Sequence, residues 1–301
     1  MSVSSWGGPH RNSHPTIEGP DILNDTDSTD ARQLGRLRWW NIIVGLILAV
    51  QAVAIAFLTN GFSLPVTSTF MTGPPGTAPE LDTLFDVPLG WGVFAFLAIS
   101  AAALLIIASP GVFGWYTRNL EQSRNYGRWI EYSISSSIMI VLIAMITGVS
   151  DIAALIAIFG INACMILFGL LMEKYESPGR PNWLSFWFGS FAGIIPWVII
   201  MIYVWSPRLE GAEPPAFVYA IIVSLFVLFN IFALNMWLQY RQIGPWRDYL
   251  FGEKAYIFLS LTAKALLAWQ VFAAVLAGSG WKRPAPLRRS ARCRAYTPSV
   301  P

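Results

Sequence analysis

Residues Glu253 to Gly278 read EKAYIFLSLTAKALLAWQVFAAVLAG, an apolar stretch with one lysine, Lys264, near its middle. At about 1.5 Å per residue, the run from Tyr256 to Gly278 crosses the roughly 30 Å hydrocarbon core of a bilayer as a single helix. Lys264 then lies far from water, where a free ammonium costs at least about 2.5 kcal/mol. Two readings follow. Either the lysine lines a wet cavity or snorkels to an interface, or it carries a covalent group, because a desolvated amine condenses with an aldehyde. A partner carboxylate elsewhere in the chain separates the two.

The rest of the chain agrees with a membrane setting. Its 301 residues are 55% hydrophobic and 12% charged, with a mean hydropathy of +0.53, whereas water-soluble domains carry about 25% charge. The composition predicts an all-α, polytopic membrane protein. A formal net charge of +3 provides no basic field of the kind that attracts nucleic acid. Cys164 sits in an apolar span and Cys293 in a basic tail, so a disulfide is not expected. Both histidines, His10 and His14, fall in the polar N-terminal segment. The apolar part holds no metal-ligand cluster, and no hydrolase, kinase, P-loop or dinucleotide motif occurs, so an enzyme is not expected.

Seven spans are expected. Residues 1–33 are rich in Ser, Asp, Asn, Gly and Pro and read as a disordered tail. The first span runs from about Arg38 to Asn60, with Trp39 and Trp40 at the interface and Asn41 and Gln51 as its strongly polar members. A long connection, Gly61 to Pro88, begins FSLPVTSTFMTG, whose β-branched and aromatic residues before a Pro/Gly turn suggest a β-hairpin on the membrane surface. The second span covers Leu89 to Ser109, and the third runs from about Leu120 to Gly148 with an amphipathic start. Leu120 to Met172 is too long for one crossing. The Gly148, Ser150, Asp151 cluster divides it into a tight helical hairpin, the fourth helix running from about Asp151 to Met172. Helix five covers Pro181 to Trp205, helix six about Ala216 to Tyr240, and helix seven starts near Asp248. Gly189 and Gly193 form a GxxxG pair that reads as ordinary close packing or as a dimer contact. The bundle domain is therefore expected over residues 34–279, followed by a basic tail over 280–301.

Positive charge sets the expected orientation. Arg11, Arg32, Arg36 and Arg38, then Arg118, Arg124 and Arg128, then Lys174 and Arg180, then Arg241, Arg247 and Lys254 all fall on one side. The other side holds Arg208 alone, and its long first loop carries Glu80, Asp82 and Asp86. The positive-inside rule then places the N-terminus in the cytoplasm of a multi-pass cell-membrane protein. Seven spans put the C-terminal tail outside, although it carries Lys282, Arg283, Arg288, Arg289, Arg292 and Arg294.

Among the acids, Asp151 caps a helix, Glu173 and Glu176 read as loop residues, and Glu131 alone is expected deep in the bilayer. Counting from their entry points, Glu131 and Lys264 reach depths of roughly 16 and 20 Å. They can pair. Ser135 lies one turn after Glu131 and Ser260 one turn before Lys264, so hydroxyls flank both charges. An ion pair with hydrogen-bonding neighbours keeps a protonated Schiff base charged in a low dielectric, and it is also what a structural bridge between helices looks like.

The stretch Arg128 to Ile140, RWIEYSISSSIMI, together with LSLTAKALLAWQ, resembles the heliorhodopsins, seven-helix retinal proteins inserted opposite to the microbial pump rhodopsins. Trp40, Asn41 and Gln51, the FWFG and PW pairs of helix five, and the long first outer loop add to the resemblance. It implies all-trans retinal bound to Lys264 as a protonated Schiff base, Glu131 as counterion, and Ser260 hydrogen-bonding beside it. It also implies that Ser136, Met139, Asn162, Met165, Trp187 and Phe229 line the retinal, although buried Met and aromatic side chains are often plain core. Together such residues form the narrow apolar slot a polyene needs. One departure stands out: the family's histidines of helices one and two are missing, Leu48 taking the first position. Glu131, or water held by Ser135, Gln51 and Asn41, is then the evident stop for a released proton.

The expected function is light sensing with a slow photocycle and no ion pumping, because the outer half of helices three and seven offers almost no titratable group. A homodimer is implied by the resemblance, with retinal and membrane lipid as the small-molecule partners; a cytoplasmic signalling protein or enzyme docking on Arg118, Arg124, Arg241 and Arg247 is a hypothesis that no sequence motif carries. The alternatives are a light-driven proton or ion conductor, and a retinal-free scaffold or transporter in which Lys264 and Glu131 only bridge helices.

Overall fold

The computed structural model describes residues 20–71, 73–77, 80–209 and 216–277. The basic tail expected over 280–301, and the first nineteen residues of the expected N-terminal tail, lie outside them. Ten elements follow in chain order: α1 Pro20–Leu58, β1 Ser63–Phe70, β2 Glu80–Pro88, α2 Leu89–Ala108, α3 Pro110–Glu121, α4 Tyr126–Ile146, α5 Ile152–Tyr175, α6 Leu184–Leu209, α7 Ala216–Tyr240 and α8 Tyr249–Ala277. A 3-10 turn at Gly244–Arg247 leads into α8. Seven helices, all but α3, are long and apolar enough to cross a bilayer. Helices suit that setting because they satisfy their backbone polar groups internally where no water is present.

Two boundaries differ from expectation. α1 starts at Pro20, within the stretch read as a disordered tail. Proline is favoured at the first helical position, and no Gly or Pro follows until Gly35, so nothing interrupts the helix before the membrane. The expected third helix starts later, at Tyr126, and the stretch read as the turn and lead-in before it is itself helical. α3 is a separate short helix, the chain turns at Ser123 with φ of +55°, and Asn125 starts α4 by accepting a hydrogen bond from Arg128 N at 3.0 Å. An Asn cap, invisible to hydropathy, sets the true entry point of α4.

The hairpin forms as the sequence indicates. β1 and β2 pair antiparallel from Ser63–Pro88 to Phe70–Glu80, with an irregularity between Val66 and Thr67. At that point Thr67 N donates to Ser150 O at 2.8 Å and the two hydroxyls meet at 2.9 Å, which ties the hairpin to the α4–α5 connection. That connection turns at Gly148, whose φ of +106° favours glycine, and Asp151 caps α5 by accepting from Ala154 N. The hairpin marks one end of the bundle; the starts of α4 and α8 mark the opposite end.

α4 is the most enclosed span, with 61% of its apolar window buried. It packs against α2, α5, α6 and α7, so its polar side chains have partners inside the protein. Gly189 and Gly193 face α5: a Cβ on Gly189 would meet Phe168 Cβ at 3.2 Å, and one on Gly193 would press on the Met165 sulfur. The GxxxG pair is therefore spent within the chain on α5–α6 packing.

Candidate functional site

α4 and α8 carry the site because their facing stripes are polar where the rest of the bundle is apolar. Ser260 and Lys264 stand one turn apart on α8, and Glu131 and Ser135 one turn apart on α4. Lys264 Nζ donates to Glu131 Oε1 at 2.9 Å and to Ser260 Oγ at 2.8 Å. The amine also lies 4.9 Å from the centre of the Tyr132 ring. Lysine and glutamate are 3% and 8% exposed, so the pair is removed from solvent. Paired and hydrogen-bonded, two opposite charges are tolerable in such a place; separated, each carries a desolvation penalty of several kcal/mol.

Ser100 of α2 completes the pair, donating to Glu131 Oε1 at 2.5 Å. Sequence reasoning missed it. A signal was present, since Ser100 is the one hydroxyl or amide side chain between Leu89 and Ala108.

An apolar slot of about 50 Å³ opens from Lys264. Ser136, Met139, Met165 and Phe229 line it as expected from the resemblance, joined by Tyr132, Ile166, Phe232 and Ala263. A second space of about 100 Å³ shares Tyr132, Met165, Ile166, Phe229 and Phe232 with it, so the two run on from each other. Ser135 Oγ borders the slot and is buried without a protein partner. An elongated apolar slot with an amine at one end and an unsatisfied hydroxyl beside it fits a polyene aldehyde.

Two expected lining residues are placed differently. Asn162 stands behind the slot, donating to Ser136 Oγ at 2.9 Å and Ser137 Oγ at 3.0 Å, and so locks α5 onto α4. Trp187 does not reach the slot at all. It is 65% exposed and meets Phe186 edge to face. Phe186, Gly189 and Ser190 hold the inward face of α6, and one residue of helix rotation, about 100°, turns Trp187 outward.

A second charged cluster lies toward the opposite end, and it corrects the reading of Glu173 as a loop residue. Arg128, Glu173 and Glu253 are 5%, 6% and 0% exposed. Arg128 pairs with Glu173 at 2.6 Å and also with Glu253. Its guanidinium centre stands 4.1 Å from the Tyr256 ring and 4.7 Å from the Trp129 ring. Glu173 accepts from Asn125 N, Tyr249 Oη and Trp129 Nε1 as well. Glu253 accepts from Asn125 Nδ2 at 2.7 Å. Being near helix ends, these residues looked solvated; aromatic side chains cover them instead.

A polar cavity of about 30 Å³ lies between the two clusters and touches both Glu131 and Glu253. Asn41 borders it, with both amide atoms buried and unpartnered. Gln51 Oε1 is likewise buried without a partner. Tyr116, on the wall beside Asn41, is buried in α3, which pushes its phenol above the ordinary value. Leu48 packs in the apolar core at 0% exposure.

Comparison with known proteins agrees with this geometry. The fold is similar to that of a light-driven proton pump from Leptosphaeria maculans, with a TM-score of 0.57 over 80% of this chain and 95% of that one, at 14% identity. No curated protein matches the sequence at a significant level. The heliorhodopsin sequence profile matches residues 37–276, from the start of the first span to the end of the last. With that match over all seven spans, and a buried lysine–glutamate pair at the head of an apolar slot, the chain belongs to the heliorhodopsin family.

Proposed function

We propose that the protein is a light sensor holding all-trans retinal on Lys264 as a protonated Schiff base, with Glu131 as counterion. The observation that carries this reading is the 2.9 Å contact of Lys264 Nζ with Glu131 Oε1 at the closed end of the slot. Family membership supports a retinal photoreceptor in general terms. The bound group would supply light absorption and isomerisation. The chain's own side chains do the rest. Glu131 Oε1 neutralises the cationic nitrogen and is the nearest base for its proton, Ser260 and Ser100 hold that geometry, and Met139, Met165 and Phe229 keep water from the polyene.

Sensing is favoured over pumping because the hairpin-side halves of α4 and α8 carry no charged residue from Ile138 to Ile146 or from Ala265 to Ala277. The notable polar contact there, Gln270 with Ser224, is between neutral groups. An amide does not relay protons by titration, so vectorial transfer lacks a second station. The expected orientation puts the N-terminus and the Arg128 cluster on the cytoplasmic side and the C-terminus outside. The working form is a homodimer that signals through a slow photocycle to a cytoplasmic protein.

Borohydride reduction of the retinal-loaded protein, followed by peptide mass mapping, should find the added mass on the peptide holding Lys264. An unmodified Lys264 sinks the proposal. Voltage-clamped cells expressing the loaded protein should give no sustained photocurrent; a sustained current would favour a light-driven conductor instead.

A further inference from the structure

The Arg128 cluster is one positive charge short. Arg128 faces two buried carboxylates, whereas Lys264 faces one. The two carboxylates are also unequally satisfied. Among the described residues, Glu173 receives hydrogen bonds from Arg128, Asn125 N, Trp129 and Tyr249, and Glu253 from Arg128 and Asn125 Nδ2. An excess buried anion with spare acceptor capacity is a seat for a proton, and by this count the seat is Glu253.

A route leads to it. Glu131 and Glu253 border the same polar cavity, whose volume of about 30 Å³ holds roughly two waters, a water needing about 10–15 Å³ on this measure. Asn41 borders the space beside the Tyr116 phenol, and its buried amide meets no donor or acceptor at full hydrogen-bond geometry. A buried amide of this kind is a water-binding group, able to donate to one molecule and accept from the next. The ionisable groups around Glu253 and its cavity among the described residues are Arg128, Glu131 and Tyr132 from α4, Glu173 from α5 and Tyr116 from α3, with Tyr249 and Tyr256 of its own helix beside Arg128.

We propose that Glu253 is the terminal acceptor of the proton released at Lys264, reached from Glu131 through water bound at Asn41. This rests on the reading of Lys264 as the chromophore-bearing residue. The N–H bond at Nζ breaks as an O–H bond forms on Glu131. Glu131 then protonates a water, and the water chain delivers a proton to the Glu253 carboxylate. One proton moves, one carboxylate becomes neutral, and no electron is transferred. Return along the same path resets the protein, so the proton never crosses the bilayer.

Time-resolved infrared difference spectroscopy of the retinal-loaded protein tests this. A protonated-carboxyl C=O band should rise after the flash in the wild type. It should be lost in Glu253→Gln, shifted in Glu253→Asp, and retained in Glu173→Gln; survival of the unshifted band in Glu253→Gln overturns the proposal. Acid titration of the retinal-free protein, followed in the same spectral region, gives a readout independent of colour. The first proton taken up by the two carboxylates should be absent in Glu253→Gln and present in Glu173→Gln, and the reverse pattern assigns the seat to Glu173. Visible absorbance, recorded on each sample, separates the two layers. A colourless wild type fails the chromophore reading, whereas a coloured Glu253→Gln protein with an intact carboxyl band fails this inference alone.

Discussion

α4 and α8 contribute to both buried charge clusters, α5 adding Glu173 to the second, yet the clusters are built for opposite ends. Around Lys264 there is one cation, one anion and an apolar slot, with three hydroxyls completing the shell. Around Arg128 there is one cation, two anions and an enclosure of Trp129, Tyr249 and Tyr256. The first has balanced charge and adjacent space, which suits a neutral aldehyde that condenses with the amine and leaves the single positive charge on its nitrogen. The second has excess negative charge and no comparable space, which suits a proton. Burial is nearly equal in the two, so neighbours and charge count, not depth, assign their roles.

The largest effect should come from breaking the cluster with two carboxylates. Arg128→Ala leaves Glu173 and Glu253 buried together without a counter-charge, a loss of about 3–5 kcal/mol by analogy with other broken buried pairs. Thermal denaturation in detergent should show a steep fall in Tm; a change within error would mean that water already solvates both carboxylates. Glu131→Gln should cost less, because the slot and polar cavity on either side can admit water. Its signature is spectral: a neutral partner stabilises the ground-state cation less, so the visible band of the loaded protein should move to the red. An unmoved band removes Glu131 as counterion.

Ser100→Ala sharpens the comparison further, since it takes one donor from Glu131. Hydrogen bonds to charged groups contribute about 1.5–3 kcal/mol. The variant should lose a stability near the lower figure and show a spectral shift smaller than that of Glu131→Gln. Equal shifts in the two variants would mean that Ser100, not charge, tunes the pair. At the bottom of the scale, Trp187→Leu should leave the spectrum unchanged, because the side chain faces outward. Phe229→Ala, which opens the slot wall, should weaken retinal uptake. A spectral change in Trp187→Leu would bring that residue back to the chromophore.

The contrast between clusters is also the contrast between what was and was not legible in the sequence. Lys264 announced itself because it interrupts a run long enough to span the bilayer, and Glu131 because it alone of the acids sits well inside one. Glu173, Glu253 and Arg128 lie within a turn or two of helix ends, where charge is normally solvated, and linear sequence does not reveal that aromatic side chains from other helices cover them. The seven spans, the hairpin and the Gly148 turn were legible from hydropathy, β-branched residues and a glycine. The α3–α4 break was not, because an Asn cap inside an amphipathic stretch leaves no mark on an apolar profile. Trp187 was misplaced by helix phase, which composition does not report.

Visible absorption after reconstitution with all-trans retinal tests the central claim most directly, measured on the wild type and on Lys264→Ala side by side. The account predicts a stable visible band in the wild type and none in the variant. A colourless wild type, or an identical band in both, would contradict it.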